Sequence, residues 1–117
     1  MILQAARHVN EVLALQAIQD EIGQDVFWDL AEAENTLPFV NYKLTNAGRA
    51  TKNGLCQYSV EILVYAKTLN KSAEIIDTIE EAISDSTYNW KFRGVEIGYN
   101  YSDGREGVAI LTYEFKF

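Results

Sequence analysis

The chain has 117 residues, the size of one domain, and with 48% hydrophobic and 12% aromatic residues its composition lies well outside that of disordered chains. Its formal charge of −7 at pH 7 is unevenly spread: before Pro38, seven acids (Glu11, Asp20, Glu21, Asp25, Asp29, Glu32, Glu34) stand against a single base, Arg7. No cluster of Lys and Arg is present to neutralise phosphates, so neither nucleic-acid binding nor attraction to an anionic membrane is expected.

Cys56 is the one cysteine, which excludes an internal disulfide and, without zinc-type spacing, suggests a reducing compartment or a chain that never needed oxidation. The first residues lack the basic region and long apolar run of a signal peptide. No apolar stretch approaches the roughly 20 residues that span a bilayer.

Residues 2–22 read as one helix with a wide apolar face. Ile2, Ala6, Val9 and Leu13 form one stripe, Val12, Leu15, Ile18 and Ile22 a second beside it, and Gly23 stands at the expected C-cap. Residues 24–37 carry Val26, Phe27, Trp28 and Leu30 among acids without a clean period, and read as a short extended piece followed by an acidic loop. Pro38 suits the first position of a strand. From residue 39 to 45, Val40, Tyr42 and Leu44 alternate with Asn41, Lys43 and Thr45. Residues 46–54 then have turn chemistry and read as a projecting loop carrying Arg49 and Lys52.

The clearest strand runs over residues 56–66, with Tyr58, Val60, Ile62 and Val64 on one face. The clearest helix follows over residues 70–84. Asn70 or Ser72 is its expected cap, Glu74 sits near its positive end, and Ile75, Ile76, Ile79, Ala82 and Ile83 form its buried stripe. A hairpin closes the chain. Trp90 and Phe92 share one parity, while Val95, Ile97, Tyr99 and Tyr101 share the other, so a bulge or a bend is expected at Arg93 and Gly94. Asp103-Gly104 is a strong hairpin signal, and Ala109, Leu111, Tyr113, Phe115 and Phe117 alternate after it. The expected fold is α+β in the order α-β-β-α-β-β: an antiparallel sheet of about four main strands with two helices on one face.

No catalytic constellation emerges from the residue types. His8, the only histidine, has only Glu11 at helical spacing and reads as a surface or partly buried side chain. Cys56 opens a strand without a nearby histidine and reads as a small buried or half-buried hydrophobe. Asp25, Asp29, Glu32 and Glu34 offer oxygen ligands but lack EF-hand spacing and its glycine, so a solvated acidic loop is expected and no metal or cofactor. Asp20-Glu21 and Glu80-Glu81 are neighbours that point apart on their helices. No glycine-rich phosphate loop is present. The expected role is non-catalytic.

What remains suits association. Tyr88, Trp90, Phe92, Tyr99, Tyr101, Tyr113, Phe115 and Phe117 crowd the C-terminal third, and either some of these rings face outward or the helices cover the sheet completely. The basic loop with Arg49 and Lys52, set against the acidic Asp25, Asp29, Glu32 and Glu34, would suit a head-to-tail subunit interface that closes a ring, the alternative being an ordinary solvated loop. Open alternatives are a ligand-binding or regulatory α+β module with an apolar pocket between helix and sheet, and a metal-dependent enzyme using the acidic loop.

The arrangement also resembles a known family, the tail-completion or tail-terminator proteins of long-tailed bacteriophages and prophages, which includes the lambda minor tail protein U. The resemblance rests on Ile22-Gly23-Gln24-Asp25-Val26-Phe27, similar to the family's Gly-x-x-Val-Phe/Tyr step, and on Pro38-Phe39-Val40-Asn41-Tyr42, similar to its first strand. It continues through Val60-Glu61-Ile62-Leu63-Val64-Tyr65-Ala66, the helix over residues 72–83 and the closing Tyr113-Glu114-Phe115. Asp25 departs from it, standing where a basic residue is common. The resemblance implies a homo-oligomer, a hexameric ring that caps the tail tube and joins it to the head connector. It implies partners among tail-tube and head-connector proteins, no cofactor, and residence in the virion tail or, during assembly, the bacterial host cytoplasm. A head-tail adaptor or tail-tube subunit is the neighbouring alternative.

Overall fold

Helices α1 (Ile2–Leu13) and α2 (Gln16–Ile22) occupy the region expected to form one helix. The structure is a computed structural model that describes residues 2–22, 26–28, 39–46, 55–99 and 107–117. The expected single helix is broken at Ala14 and Leu15, although neither Gly nor Pro marks the spot. The Ala14 amide still reaches the Asn10 carbonyl at 3.0 Å, but Leu15 bonds back only to Val12, and the Leu15 carbonyl then accepts from Ile18 and Gln19. The side-chain amide of Gln19 donates to the Leu13 carbonyl at 3.0 Å, giving a partner to a group the break leaves without a helical donor. The bend lets Ala5, Val9, Val12, Leu13 and Ile18 all reach the core.

Strand β1 (Val26–Trp28) realises the short extended piece. It pairs parallel to β2 (Phe39–Asn46), with Val26 opposite Val40, so the sheet is not wholly antiparallel as expected. The other pairings are antiparallel: β2 with β3 (Gln57–Ala66), β3 with β5 (Gly107–Lys116), and β5 with β4 (Lys91–Tyr99). The sheet order is β1-β2-β3-β5-β4, which places the longest described strands, β3 and β5, side by side near the centre. The fold is α+β. Relative to the expected order it adds a second N-terminal helix and a short parallel edge strand. Pro38 and Asp103-Gly104 lie outside the described residues.

Period-two alternation sets the core. Tyr58, Val60, Ile62, Val64 and Ala66 of β3 and Ala109, Leu111, Tyr113 and Phe115 of β5 are buried, while their sequence neighbours are half-buried or exposed. The helices pack on that buried face, with α3 (Leu69–Asp85) over β3 and β5 and α2 beside α3. Ile75, Ile76, Ile79 and Ile83 form the buried stripe of α3, as its spacing predicts; Ala82 is only half-buried.

The cap of α3 differs from expectation. Thr68, with extended backbone, accepts the Lys71 amide on its Oγ1 at 3.1 Å and so fills the role expected of Asn70 or Ser72. Ser72 is committed elsewhere: its hydroxyl donates to the Gly107 carbonyl at 2.6 Å, tying the first turn of α3 to the start of β5. Glu74 lies beyond the first turn, which holds no acid, and pairs with Lys71 at 3.7 Å.

Candidate functional site

Strand β4 ends the sheet, and no described strand pairs with its far side. Its register shifts between Phe92 and Gly94, where Phe92 faces Tyr113 and Gly94 faces Thr112, so Arg93 is the inserted residue of a bulge. The parity change in the sequence is therefore realised where it was expected. Arg93 and Gly94 both lie on the open face of the sheet. The Arg93 guanidinium donates to the Glu114 carboxylate at 2.6 Å, and that carboxylate also accepts from the Gln57 side-chain amide at 3.0 Å. This charge-assisted bond holds the bulge against β5.

The bulge keeps Phe92, Val95 and Ile97 together on the helix side of the sheet, opposite Tyr113, Leu111 and Ala109. Those three partners are buried, yet Phe92 is 48%, Val95 38% and Ile97 54% exposed. The reason is geometric: α3 lies over β3 and β5, and its cover thins out toward the outer strand. The apolar side of β4 is consequently exposed, an unusual state for three large side chains in a row on a strand that ends the described sheet.

This divides the aromatic crowd read from the sequence. Trp90, Tyr113 and Phe115 are buried, Tyr88 is partly buried, and Phe92 and Phe117 are exposed. Some rings are therefore exposed, as one reading expects, and complete cover by the helices does not hold, because they pack on one face and leave its outer margin bare. Tyr101 and the side chain of Tyr99 lie outside the described residues.

A second cluster escaped sequence reasoning. His8 of α1 sits among four rings, with centroid distances of 5.5 Å to Tyr88, 5.7 Å to Trp90, 5.1 Å to Phe115 and 4.7 Å to Phe117. The Trp90 indole N–H donates to His8 Nε2 at 3.0 Å, which makes that nitrogen an acceptor and favours the neutral imidazole with its proton on Nδ1. Burial lowers the pKa of His8 below its usual 6.5, against the raising pull of Glu11. The cluster clasps the N-terminal helix to the C-terminal hairpin, 82 residues away, and no local pattern in the sequence could have found it.

Cys56 is buried, as read from its position at the start of a strand, and its backbone exchanges two hydrogen bonds with Phe117. Tyr42 is also buried, its hydroxyl within reach of the Asn10 Oδ1 at 2.9 Å and the Ala6 carbonyl at 3.2 Å. Burial pushes its pKa up to about 12, so it stays a protonated donor at neutral pH. An open groove of about 700 Å³ is lined by Leu55, Gln57, Lys91, Arg93, Glu114 and Lys116 among others. These charged side chains belong to the open end of the sheet, whereas a ligand-binding module was expected to place an apolar pocket between helix and sheet.

The residues expected at a subunit interface, Arg49, Lys52, Asp25, Asp29, Glu32 and Glu34, all lie outside the described residues. Among the described residues, no group of three or more His, Cys, Asp or Glu side chains is placed to hold a metal ion, and no helix is long and apolar enough to cross a membrane. No protein-family model and no curated protein matches the chain.

Proposed function

We propose that this chain is a structural assembly protein of the tail-terminator type, whose subunits form a ring that caps a phage or prophage tail tube and joins it to the head connector. The observation that carries the assembly reading is the bare apolar side of β4, where Phe92, Val95 and Ile97 remain exposed beside a well-buried core. Exposed apolar side chains on an open strand favour association with protein over a solitary existence in water. The tail-terminator form of the reading rests on the resemblance of strand and helix order, together with an acidic charge of −7 that would let DNA pass a channel without adhering. In this reading the protein is not an enzyme.

Sedimentation of the purified protein over a wide concentration range, followed by electron microscopy of the largest species, tests it. A closed sixfold ring with a central hole is the expected result. Open tubes would instead favour a tail-tube subunit. A species that stays monomeric alone and fails to bind tail tips would overturn the reading. Arg49→Glu and Lys52→Glu are expected to weaken a ring held by head-to-tail charge contacts.

A further inference from the structure

We propose that two copies of this chain pair through β4, antiparallel and about a twofold axis at Val95, into one continuous sheet. The inference does not rest on the ring reading. A twofold contact closes on itself, so a ring would have to close through other surfaces.

The strand's sequence is self-complementary only because of its bulge. In a regular strand centred on Val95, Ile97 of one copy would face Arg93 of the other, setting an apolar side chain against a guanidinium. The inserted Arg93 changes the count, since Arg93 and Gly94 share one level of the ladder. Counted outward from Val95, Glu96 then meets the Arg93 and Gly94 level, and Ile97 meets Phe92. Both members of each pair lie on the same face: Glu96 and Arg93 on the open side, Ile97 and Phe92 on the helix side.

The twofold repeats every contact. Two Arg93–Glu96 pairs would flank the axis on the open face, where both residues are exposed and the Arg93 guanidinium would be shared with Glu114 of its own chain. Phe92, Val95 and Ile97 of each copy would close over one another on the helix side, removing from water the three side chains that α3 leaves uncovered. The backbone groups on the far side of β4 would gain ladder partners at the same time. Opposite charges placed across a strand pair, with like apolar side chains behind them, select this register over its neighbours.

Sedimentation velocity of the full chain and its variants tests the pairing. The wild type is expected to form dimers. Arg93→Glu and Glu96→Arg should each turn two attractions into two repulsions and raise the dimer dissociation constant about tenfold or more. An equimolar mixture of the two variants should restore the dimer, because each then offers the charge the other lacks. Arg93→Glu also loses the bond to Glu114, so Ile97→Lys, made at an already exposed position, serves as a second probe; it should retain the wild-type circular dichroism spectrum and sediment as a monomer. A wild type that is monomeric at every concentration, a dimer that persists in Ile97→Lys, or a mixture that stays dissociated would each overturn the proposal. Sixfold rings formed alike by the wild type and Ile97→Lys, with no twofold pairing between rings or subunits in either, would overturn edge pairing while leaving the ring reading intact. Dimers lost in Ile97→Lys, with no ring in the wild type, would support edge pairing and count against the ring.

Discussion

Replacing Gly107 with alanine tests how the central helix is seated on the sheet. Gly107 opens β5, and a Cβ built there would overlap the carbonyl carbon and oxygen of Thr68 and lie 2.5 Å from the Leu69 nitrogen. All three are backbone atoms at the start of α3, so no side chain can swing aside. Thr68 cannot move freely either. Its Oγ1 caps the helix, its carbonyl accepts the Ser72 amide at 3.1 Å, and the Ser72 hydroxyl holds the Gly107 carbonyl at 2.6 Å. Forcing in one carbon should cost about 1–3 kcal/mol by overpacking. Stretching the buried Ser72 bond should add about 1 kcal/mol, for a total of about 2–4 kcal/mol. An unfolding entropy of about 2.1 cal/mol/K per residue over 117 residues makes each kcal/mol worth about 4 °C, so the midpoint should fall by about 8–16 °C. Urea and thermal unfolding followed by circular dichroism measure it. Gly98→Ala is the control: nothing lies within 4 Å of its Cβ position, and its stability should stay within about 0.5 kcal/mol of the wild type or rise slightly. A Gly107→Ala protein as stable as the control would refute the tight seating of α3 on β5.

Further outcomes follow from the core and the His8 clasp. Ile79→Ala, at a fully buried position of α3, should lose about 2–5 kcal/mol in urea unfolding. Tyr42→Phe removes the hydroxyl that reaches Asn10 and Ala6 and should cost about 1 kcal/mol. In the wild type, phenolate formation at Tyr42 should be delayed to about pH 12, so stability should decline as pH rises from 10 through that range. His8 binds its proton less readily when folded than when unfolded. Its contribution is therefore full above pH 6.5 and is lost as pH falls from there through the lower folded value. The urea midpoint of the wild type should fall over that window, and His8→Gln should flatten the fall; equal slopes in both would show that the clasp does not titrate with folding.

Much of the architecture is legible in local pattern. The two-residue alternation of Tyr58, Val60, Ile62 and Val64 places β3 and its buried face, because only one side of the strand meets the helices. The isoleucines of α3 do the same at helical period. Even the bulge is written in the sequence, since Trp90 and Phe92 can share a face with Val95 and Ile97 only if one residue is inserted between them. Such features depend on neighbours a few residues apart, and periodicity records them.

Tertiary structure decided the rest. The break at Ala14 and Leu15 carries no Gly or Pro and is sustained by Gln19 reaching back to Leu13. The cap of α3 fell to Thr68 because Ser72 was drawn to a carbonyl 35 residues away. Whether Phe92, Val95 and Ile97 are core or surface depends on how far α3 extends across the sheet, which no pattern within β4 encodes. The same holds for His8, an isolated histidine in the sequence that becomes a hydrogen-bond acceptor for Trp90 only when the chain's two ends are brought together. The sequence by itself determined which face of each strand and helix is apolar; packing between distant segments decided which of those faces is covered, because burial depends on neighbours that the chain order does not place side by side.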